Sequence, residues 1–366
     1  MPNPKKKLIL HIDVGGTFIL HSSITNMSVP ESLSFSLSGL TWGKETDGKW
    51  KVKINSISAE TNETSSDLIS YYSYLEKTCA NRNILRKQAC KFIETQPSGI
   101  LISKYIECIS KLMIENSNEQ EITGYPVCIF SKVPHKQFHK KLSIDSKKEY
   151  IWYIYIIEAF INLVDWLQRN YTNNYAIILR SYGFEGERVL KILLNMKINN
   201  HPQFQGDHFN NIYIQDPNLK KNIILKNNTV FIQIAELDSI NIIHESYNIY
   251  KYFSQLNGIN SFRDDYYYYQ SHNYSQNATK PFFVQQDDQK HHHIFIDDSI
   301  RITPNNCGIF IQTLKKFKSI QLNHIFQSAH LVTGNIMEAI IDKDYFIDKI
   351  INCIKNDNIF KESISK

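Results

Sequence analysis

Three short runs of apolar residues lead into glycine or aspartate residues, and their pattern is typical of buried β-strands. The runs are Lys7–Val14, Tyr175–Ser181 and His293–Asp297. Continuous apolar runs of this length are typical of strands that are buried on both faces of a parallel sheet. The pattern therefore predicts an α/β fold with a Rossmann-like parallel sheet, whose functional site lies at the carboxyl edge of the strands.

A long apolar segment precedes the second of these runs. Residues Ile151–Asn170 are almost entirely apolar, and their polar residues Glu158, Asn162 and Asp165 recur at helical spacing. One narrow polar stripe on an apolar helix favours a helix in the protein core over a membrane span. We expect one core helix here, leading into the strand at Tyr175.

About 160 residues separate the first two predicted strands, far more than one crossover connection needs. Within them, Ser66–Cys79 and Ile100–Ile114 show helical periodicity. We therefore predict an α/β core made of residues 1–20 and 150–366, with residues 21–149 as a large cap-like insertion after the first strand.

The remaining chain contains further predicted elements. Thr229–Ala235 alternates like a strand, and a helix is predicted near Ile240–Leu256. The four tyrosines Tyr266–Tyr269 open a segment rich in Asn and Ser, which predicts a loop. Tyr345–Lys355 has the period of an amphipathic helix.

Composition excludes several classes of protein. The 366 residues are 42% hydrophobic and 21% charged, which argues against a disordered chain, a disulfide-rich miniprotein and a membrane-spanning bundle. The net charge of +5 is small for this length, so no nucleic-acid partner is expected. Six scattered cysteines without a CxxC pair argue against a zinc site or a disulfide framework. No signal peptide is predicted, and a cytoplasmic protein is the expectation.

Chemically active residues stand at the ends of the predicted strands. Asp13 ends the first, Ser181 ends the second, Lys280 precedes the third, and Asp297 and Asp298 end it. An aspartate can attack phosphorus if a divalent cation neutralises the phosphate, and paired carboxylates suit Mg²⁺. A serine hydroxyl and a lysine could then bind the phosphoryl oxygens.

This order of residues resembles the haloacid dehalogenase-like (HAD) hydrolase superfamily, in a branch whose first motif reads DVGGT. The similar motifs are His11–Thr17, Thr41–Lys44, Arg180–Val189, His201–Gly206 and Ile294–Ile300. They occur in the expected order and span most of the chain. The resemblance implies a phosphatase-like hydrolase that acts on a phosphorylated small molecule or protein, with a cap insertion that selects the substrate.

Carried over to this sequence, the resemblance implies a role for each matching position. The nucleophile would be Asp13, with Ser181 and Lys280 completing the catalytic set and binding phosphate. Mg²⁺ would be held by Asp13, the carbonyl of Gly15, Asp297 and Asp298. Further contacts to the substrate would come from the first loop and the second motif, at Gly16, Thr17, Arg180 and Gly183.

One position departs from the family pattern. Phosphatases of the family usually carry a second aspartate two residues after the nucleophile, as general acid, and here that position is Gly15. General acid catalysis contributes on the order of 10²–10⁴ in rate. This departure leaves three interpretations open: a slow phosphatase, an enzyme that recruits its acid from elsewhere, or a silent module that binds a phosphorylated ligand or a protein. A carbon–halogen or carbon–phosphorus hydrolase stays open as a third class.

Three consecutive histidines, His291–His293, resemble a metal-binding tract. Neighbouring residues of an extended segment point to opposite faces, so all three cannot converge on one ion. We expect solvated histidines here, and an exposed turn at Asp287 and Asp288.

Overall fold

The computed structural model describes most of the chain. The described residues are 5–20, 27–54, 56–58, 67–79, 81–96, 99–114, 127–130, 151–199, 201, 204, 206–227, 229–236, 239–285, 287–300, 309–314 and 324–364.

The chain divides into two compact units. The first comprises Met1–Thr17, Phe160–Gly334 and Asp344–Lys366, and the second comprises Phe18–Ala159 and Asn335–Lys343. The short segment Asn335–Lys343 lies in the second unit, although it falls within residues 150–366, which the sequence predicts as core.

The strands are, in chain order, β1 Lys7–Asp13, β2 Trp42–Thr46, β3 Lys49–Val52, β4 Ile69–Ser70, β5 Met113–Ile114, β6 Val127–Phe130, β7 Ile151–Ile154, β8 Tyr175–Ser181, β9 Lys220–Lys226, β10 Thr229–Ala235, β11 Ile240–Ile243, β12 Gly258–Arg263, β13 Lys280–Val284, β14 His291–Asp297, β15 Ile309–Thr313 and β16 Leu331–Thr333. The α-helices are Val29–Leu40, Tyr71–Thr78, Arg82–Cys90, Phe92–Thr95, Gly99–Leu112, Glu158–Asn170, Glu185–Ile198, Asp207–Asn210, Ser246–Gln255, Tyr266–Ser271, His324–His330, Ile336–Ile341 and Tyr345–Ile364.

The first unit is built on a mixed sheet of mostly parallel strands, in the order β11-β10-β9-β12-β8-β1-β14-β16. The pairs from β9 through β12, β8, β1 and β14 to β16 are parallel. The sequence predicts a parallel sheet, and the structure differs at one edge, where β9, β10 and β11 pair antiparallel. A tight connection causes this difference, because Asn227 adopts a positive φ of 50° and turns β9 directly back into β10.

The central strands of this sheet position the candidate site residues. Strand β1 lies between β8 and β14, and nearly every residue of the three strands is buried. Such strands need apolar side chains on both faces, which explains the continuous apolar runs in the sequence. Their carboxyl ends lie side by side, because all three run in the same direction.

The second unit contains two small antiparallel sheets, β3-β2-β4 and β5-β7-β6, together with helices. The helix Val29–Leu40 begins with a capping box, in which Ser28 and Glu31 exchange hydrogen bonds. Trp50, Tyr71 and Phe92 form a buried aromatic cluster in this unit.

Three predicted elements were wrong in extent or type. The single helix over Ile151–Asn170 is instead strand β7 followed by the helix Glu158–Asn170, since Ile151–Ile154 pairs with both β5 and β6. The segment Ile240–Leu256 likewise divides into β11 and the helix Ser246–Gln255.

The third is the predicted tyrosine loop, which is the helix Tyr266–Ser271. It forms because the Asp265 side chain accepts a hydrogen bond from the backbone N–H of Tyr268 and so caps the helix. Among the described residues, no helix is long and apolar enough to cross a membrane.

Candidate active site

Two aspartates stand next to each other at the ends of the central strands. Asp13 is the last residue of β1 and Asp297 is the last residue of β14. In the parallel register Ile12 is level with Ile296, so the two aspartates occupy the next position on adjacent strands and point to the same face. Both are buried, at 6% and 1% exposure.

Lys280 joins these two aspartates. It begins β13, which pairs with β15 in a separate two-stranded sheet of the first unit. Its buried Nζ donates to Asp13 Oδ1, and to Asp297 Oδ2 at 2.8 Å. Burial alone would lower the pKa of Lys280, but the charges of Asp13 and Asp297 raise it well above its ordinary value. Lys280 is therefore a fixed positive charge.

Asp297 is held by its own loop as well as by Lys280. The backbone N–H of Ser299 donates to Asp297 Oδ1 at 2.8 Å, and the Ser299 hydroxyl donates to the same oxygen. Burial raises the pKa of Asp297, but Lys280 and the two bonds from Ser299 outweigh it, so the pKa lies below its ordinary value. Asp297 is therefore a carboxylate.

The pKa of Asp13 is shifted in the opposite direction from that of Asp297. Burial raises its pKa most, and although Lys280 opposes this, Asp297 and Asp298 raise the pKa further, so that it lies well above the ordinary range. Thr17 Oγ1 donates to Asp13 Oδ2 at 3.2 Å. Each carboxylate oxygen accepts more than one hydrogen bond, so these contacts orient Asp13 and leave lone pairs for chemistry.

The loop after β1 approaches Asp298 closely, because Gly16 has no side chain. A Cβ added to Gly16 would lie 2.5 Å from Asp298 Oδ2. Gly16 also has a φ of +82°, a conformation that other residues rarely adopt. Glycine here therefore brings Asp298 beside the strand end that carries Asp13.

Asp13, Asp297 and Asp298 together form a cluster that could hold a metal ion. One ligand atom from each lies within 4.8 Å of the others. Three carboxylates face one lysine, which leaves an excess of negative charge that a cation would neutralise. All the donors are oxygens, the ligands that Mg²⁺ and Ca²⁺ prefer. The donor set and the narrow space beside Gly16 therefore fit a hard divalent cation.

The structure places the other predicted site residues in different surroundings. The Ser181 hydroxyl donates to the carbonyl of Gly183 at 2.9 Å. Arg180 is fully buried, and its guanidinium pairs with Asp264 and donates to the carbonyl of Pro281. Arg180 thus joins β8 to β13 and to the segment after β12, and its charge is already neutralised by Asp264.

Three residues beside the cluster were missed by the sequence analysis. The Tyr182 ring lies 5.1 Å from Lys280 Nζ, and Ser299 binds Asp297. The backbone N–H of Gly334 donates to the Asp297 carbonyl at 2.9 Å. Ser299 could have been found from its spacing, since a serine two residues after an aspartate often bonds back to it. Tyr182 and Gly334 carry no comparable signal.

The expectation of solvated histidines at His291–His293 was wrong. His292 and His293 are each only 2% exposed, because β14 is covered on both faces. Burial lowers the pKa of His292 and lowers that of His293 well below its ordinary value, so both rings are neutral at pH 7. Nor is the predicted turn fully exposed, since Asp288 accepts hydrogen bonds from Tyr250 and from the backbone of His291.

Comparison with known proteins gives no further guide. The chain matches no family model, no curated protein and no solved structure.

Proposed function

We propose that this protein is a Mg²⁺-dependent phosphoester hydrolase of the HAD type, which acts through an aspartyl-phosphate at Asp13. The observation that carries the proposal is the cluster of Asp13, Asp297 and Asp298 around Lys280. It lies at the carboxyl ends of adjacent parallel strands, the usual position of ligands in open α/β sheets.

Asp13 is the nucleophile in this proposal. A carboxylate oxygen of Asp13 attacks phosphorus, the bond between phosphorus and the ester oxygen breaks, and its electron pair leaves with that oxygen. Water then attacks the aspartyl-phosphate and releases inorganic phosphate and the free carboxylate. The first step requires Asp13 to be deprotonated, and Lys280 favours that form through its hydrogen bond and its charge.

Lys280 and Thr17 hold the nucleophile in one orientation, since each donates to a different oxygen of Asp13. Fixing the attacking group in this way lowers the entropic part of the barrier. Asp13, Asp297, Asp298 and the carbonyl of Gly15 would hold Mg²⁺, which when bound neutralises charge on the phosphoryl oxygens. The second unit, which begins at Phe18, corresponds in chain position to the cap insertion of that family.

Gly15 determines which esters react. No proton donor stands at this position, so the departing oxygen must leave as an anion. Aryl phosphates, whose leaving groups are stable anions near neutral pH, should be hydrolysed. Alkyl phosphates should react on the order of 10²–10⁴ more slowly. Gly15→Asp should narrow that gap, because it introduces a carboxyl group at the missing position.

The test measures hydrolysis of p-nitrophenyl phosphate and of a sugar phosphate, with and without Mg²⁺. Asp13→Asn should abolish turnover of both, since an amide is not a nucleophile. Asp348→Asn, a surface aspartate on the last helix, is the matched control and should retain full activity.

Two outcomes would change the proposal. If Mg²⁺ binds but neither ester is hydrolysed, the chain is the silent ligand-binding module that Gly15 also favours. If alkyl and aryl esters react equally fast, another residue supplies the proton.

A further inference from the structure

A second group of metal-ligating side chains lies at the other end of β14. His292 stands near the start of β14, His330 ends the helix His324–His330, and Asp357 lies on the helix Tyr345–Ile364. One ligand atom from each lies within 4.8 Å of the others. All three are buried, with exposures of 2%, 5% and 3%. From His292 to Asp297 is five residues of strand, about 16 Å, so this group is distinct from the candidate active site.

The hydrogen bonds of the two histidines determine which ring nitrogen carries a lone pair. His292 Nε2 lies 2.8 Å from the carbonyl of Ala329, and His330 Nδ1 lies 2.8 Å from the carbonyl of His293. A carbonyl can only accept, so both of these nitrogens donate. In the neutral rings the lone pair is then on His292 Nδ1 and on His330 Nε2. Metal-binding histidines are characteristically oriented in this way, with the second nitrogen bonded to a carbonyl.

Asp357 contributes a carboxylate whose position is also fixed. Its Oδ2 accepts from Lys6 Nζ at 2.7 Å. The Lys6 side chain is 18% exposed, so it lies between Asp357 and solvent. The result is two imidazoles and one carboxylate, each held by a contact outside the cluster.

We propose that His292 Nδ1, His330 Nε2 and the carboxylate of Asp357 form a binding site for a divalent transition metal, and that Zn²⁺ is the ion that fits it best. Imidazole and carboxylate ligands suit Zn²⁺, whereas Mg²⁺ prefers sites made of oxygen alone. Ligand atoms around tetrahedral Zn²⁺ lie about 3.4 Å apart, since each bond is about 2.0–2.1 Å, so small side-chain movements close the site.

The site joins three elements that are far apart in the chain. Zn²⁺ would connect β14 to the helices His324–His330 and Tyr345–Ile364, which contain His330 and Asp357. An ion that binds only the folded chain stabilises it. The expectation of no zinc site came from the cysteine pattern, whereas the ligands of this site are two histidines and an aspartate.

The experiment uses the full chain after treatment with a chelator. Equilibrium dialysis against ZnCl₂ with millimolar Mg²⁺ present should give one bound Zn²⁺ per chain, because Mg²⁺ competes for the carboxylate cluster around Asp13. Co²⁺ in place of Zn²⁺ should give the visible absorption of imidazole-bound cobalt. Zn²⁺ should also raise the melting temperature.

Variants assign the ligands. His292→Gln, His330→Gln and Asp357→Asn should each weaken Zn²⁺ binding at least tenfold and remove the cobalt absorption. The matched control is His291→Gln, the adjacent histidine, whose ring contacts Asp288 instead, and it should bind Zn²⁺ as the unmodified protein does.

Lys6→Met should change Zn²⁺ binding in the opposite direction from the ligand variants. Lys6 competes with the metal for Asp357, so its removal should tighten Zn²⁺ binding a few-fold, an effect that general destabilisation does not produce. Unchanged or weaker binding would remove Asp357 from the ligand set. Zn²⁺ uptake that survives His330→Gln would overturn the proposal. If that variant does not fold, a melting temperature of the unmodified protein that does not respond to Zn²⁺ would overturn it.

Discussion

The two ends of strand β14 accommodate buried polar groups in different ways. At the carboxyl end, Asp297 shares Lys280 with Asp13, so charges are brought together and compensated. At the amino end, His292 and His293 are neutral rings whose hydrogen bonds go to a backbone carbonyl and to other side chains. One end thus resembles a site for a hard cation, and the other a site for a softer one. Acid should destabilise the amino end, whereas at the carboxyl end Asp13 and Asp297 respond to pH in opposite directions.

The buried histidines at the amino end of β14, together with His11 of β1, which contacts His293, should make the protein sensitive to acid. The pKa values of His11, His292 and His293 are lowered by burial, and that of His330 is lowered to about 3 from 6.5. The unfolded chain binds protons below about pH 6.5 while the folded chain does not. Stability is therefore fully present above that pH and is lost as the pH falls towards the lowered values, by about 1.4 kcal/mol per pH unit for each histidine.

We therefore expect the free energy of unfolding to fall between pH 6.5 and 5.5, by at most about 1.4 kcal/mol for each of the four histidines. Urea unfolding of the chelator-treated protein, followed by circular dichroism, measures it. His293→Gln should reduce the loss, because it removes one of the four. A stability that stays constant over this range would show that the rings take up protons in the folded state and that the contrast between the two ends does not exist.

At the carboxyl end, Asp13 should respond in the opposite direction to the histidines. Because the pKa of Asp13 is raised in the folded chain, this group favours unfolding as the pH rises through its folded value. Asp297, whose pKa is lowered, has the usual behaviour of a paired carboxylate. Lys280 allows the carboxylate cluster to exist without a metal, because it pairs with both Asp13 and Asp297.

Lys280→Met tests that statement. Removing one partner of a buried ion pair costs about 3–5 kcal/mol, and here it leaves three carboxylates together. We expect a loss of that size in the metal-free protein, measured by urea unfolding, and partial recovery in millimolar Mg²⁺, since the cation then replaces the missing ammonium.

Lys221→Met is the matched control. Lys221 is also buried, but its Nζ donates to the amide oxygen of Asn260, and burial lowers its pKa to about 8. Its loss should cost less and should not respond to Mg²⁺. Equal Mg²⁺ responses of the two variants would mean that the recovery does not come from the carboxylate cluster.

The central strands were predictable from the sequence, and the histidine cluster was not. Strands β1, β8 and β14 appear as apolar runs because they are buried on both faces. Their carboxyl ends must then meet at one edge, which is why the sequence could associate Asp13 with Asp297. Lys280 was expected to precede the strand that ends in Asp297, and the structure places it at the start of β13, a strand of a separate sheet.

The remaining features depend on contacts that no local pattern contains. His292 meets His330 and Asp357 only because two later helices pack on β14, so reasoning from the alternation of neighbouring residues assigned the histidines to solvent. In the same way, Ile151–Ile154 has an apolar sequence that suits a helix, and its pairing with β5 and β6 makes it a strand.

The smallest expected effect concerns Gly16, which sharpens the comparison because it affects only the carboxyl end. In Gly16→Ala, the left-handed backbone at φ +82° costs about 1–2 kcal/mol, and the new Cβ, 2.5 Å from Asp298 Oδ2, forces that carboxylate to move.

Gly48→Ala is the matched control, since Gly48 has a φ of +70° and a Cβ there would meet no atom within 4 Å. Both variants should lose similar stability, as measured by urea unfolding. Only Gly16→Ala should weaken Mg²⁺ binding, by about tenfold, and neither should change Zn²⁺ binding at His292 and His330. If Gly48→Ala weakened Mg²⁺ binding equally, backbone strain alone would explain the effect, and Asp298 would lose its place in the cation site.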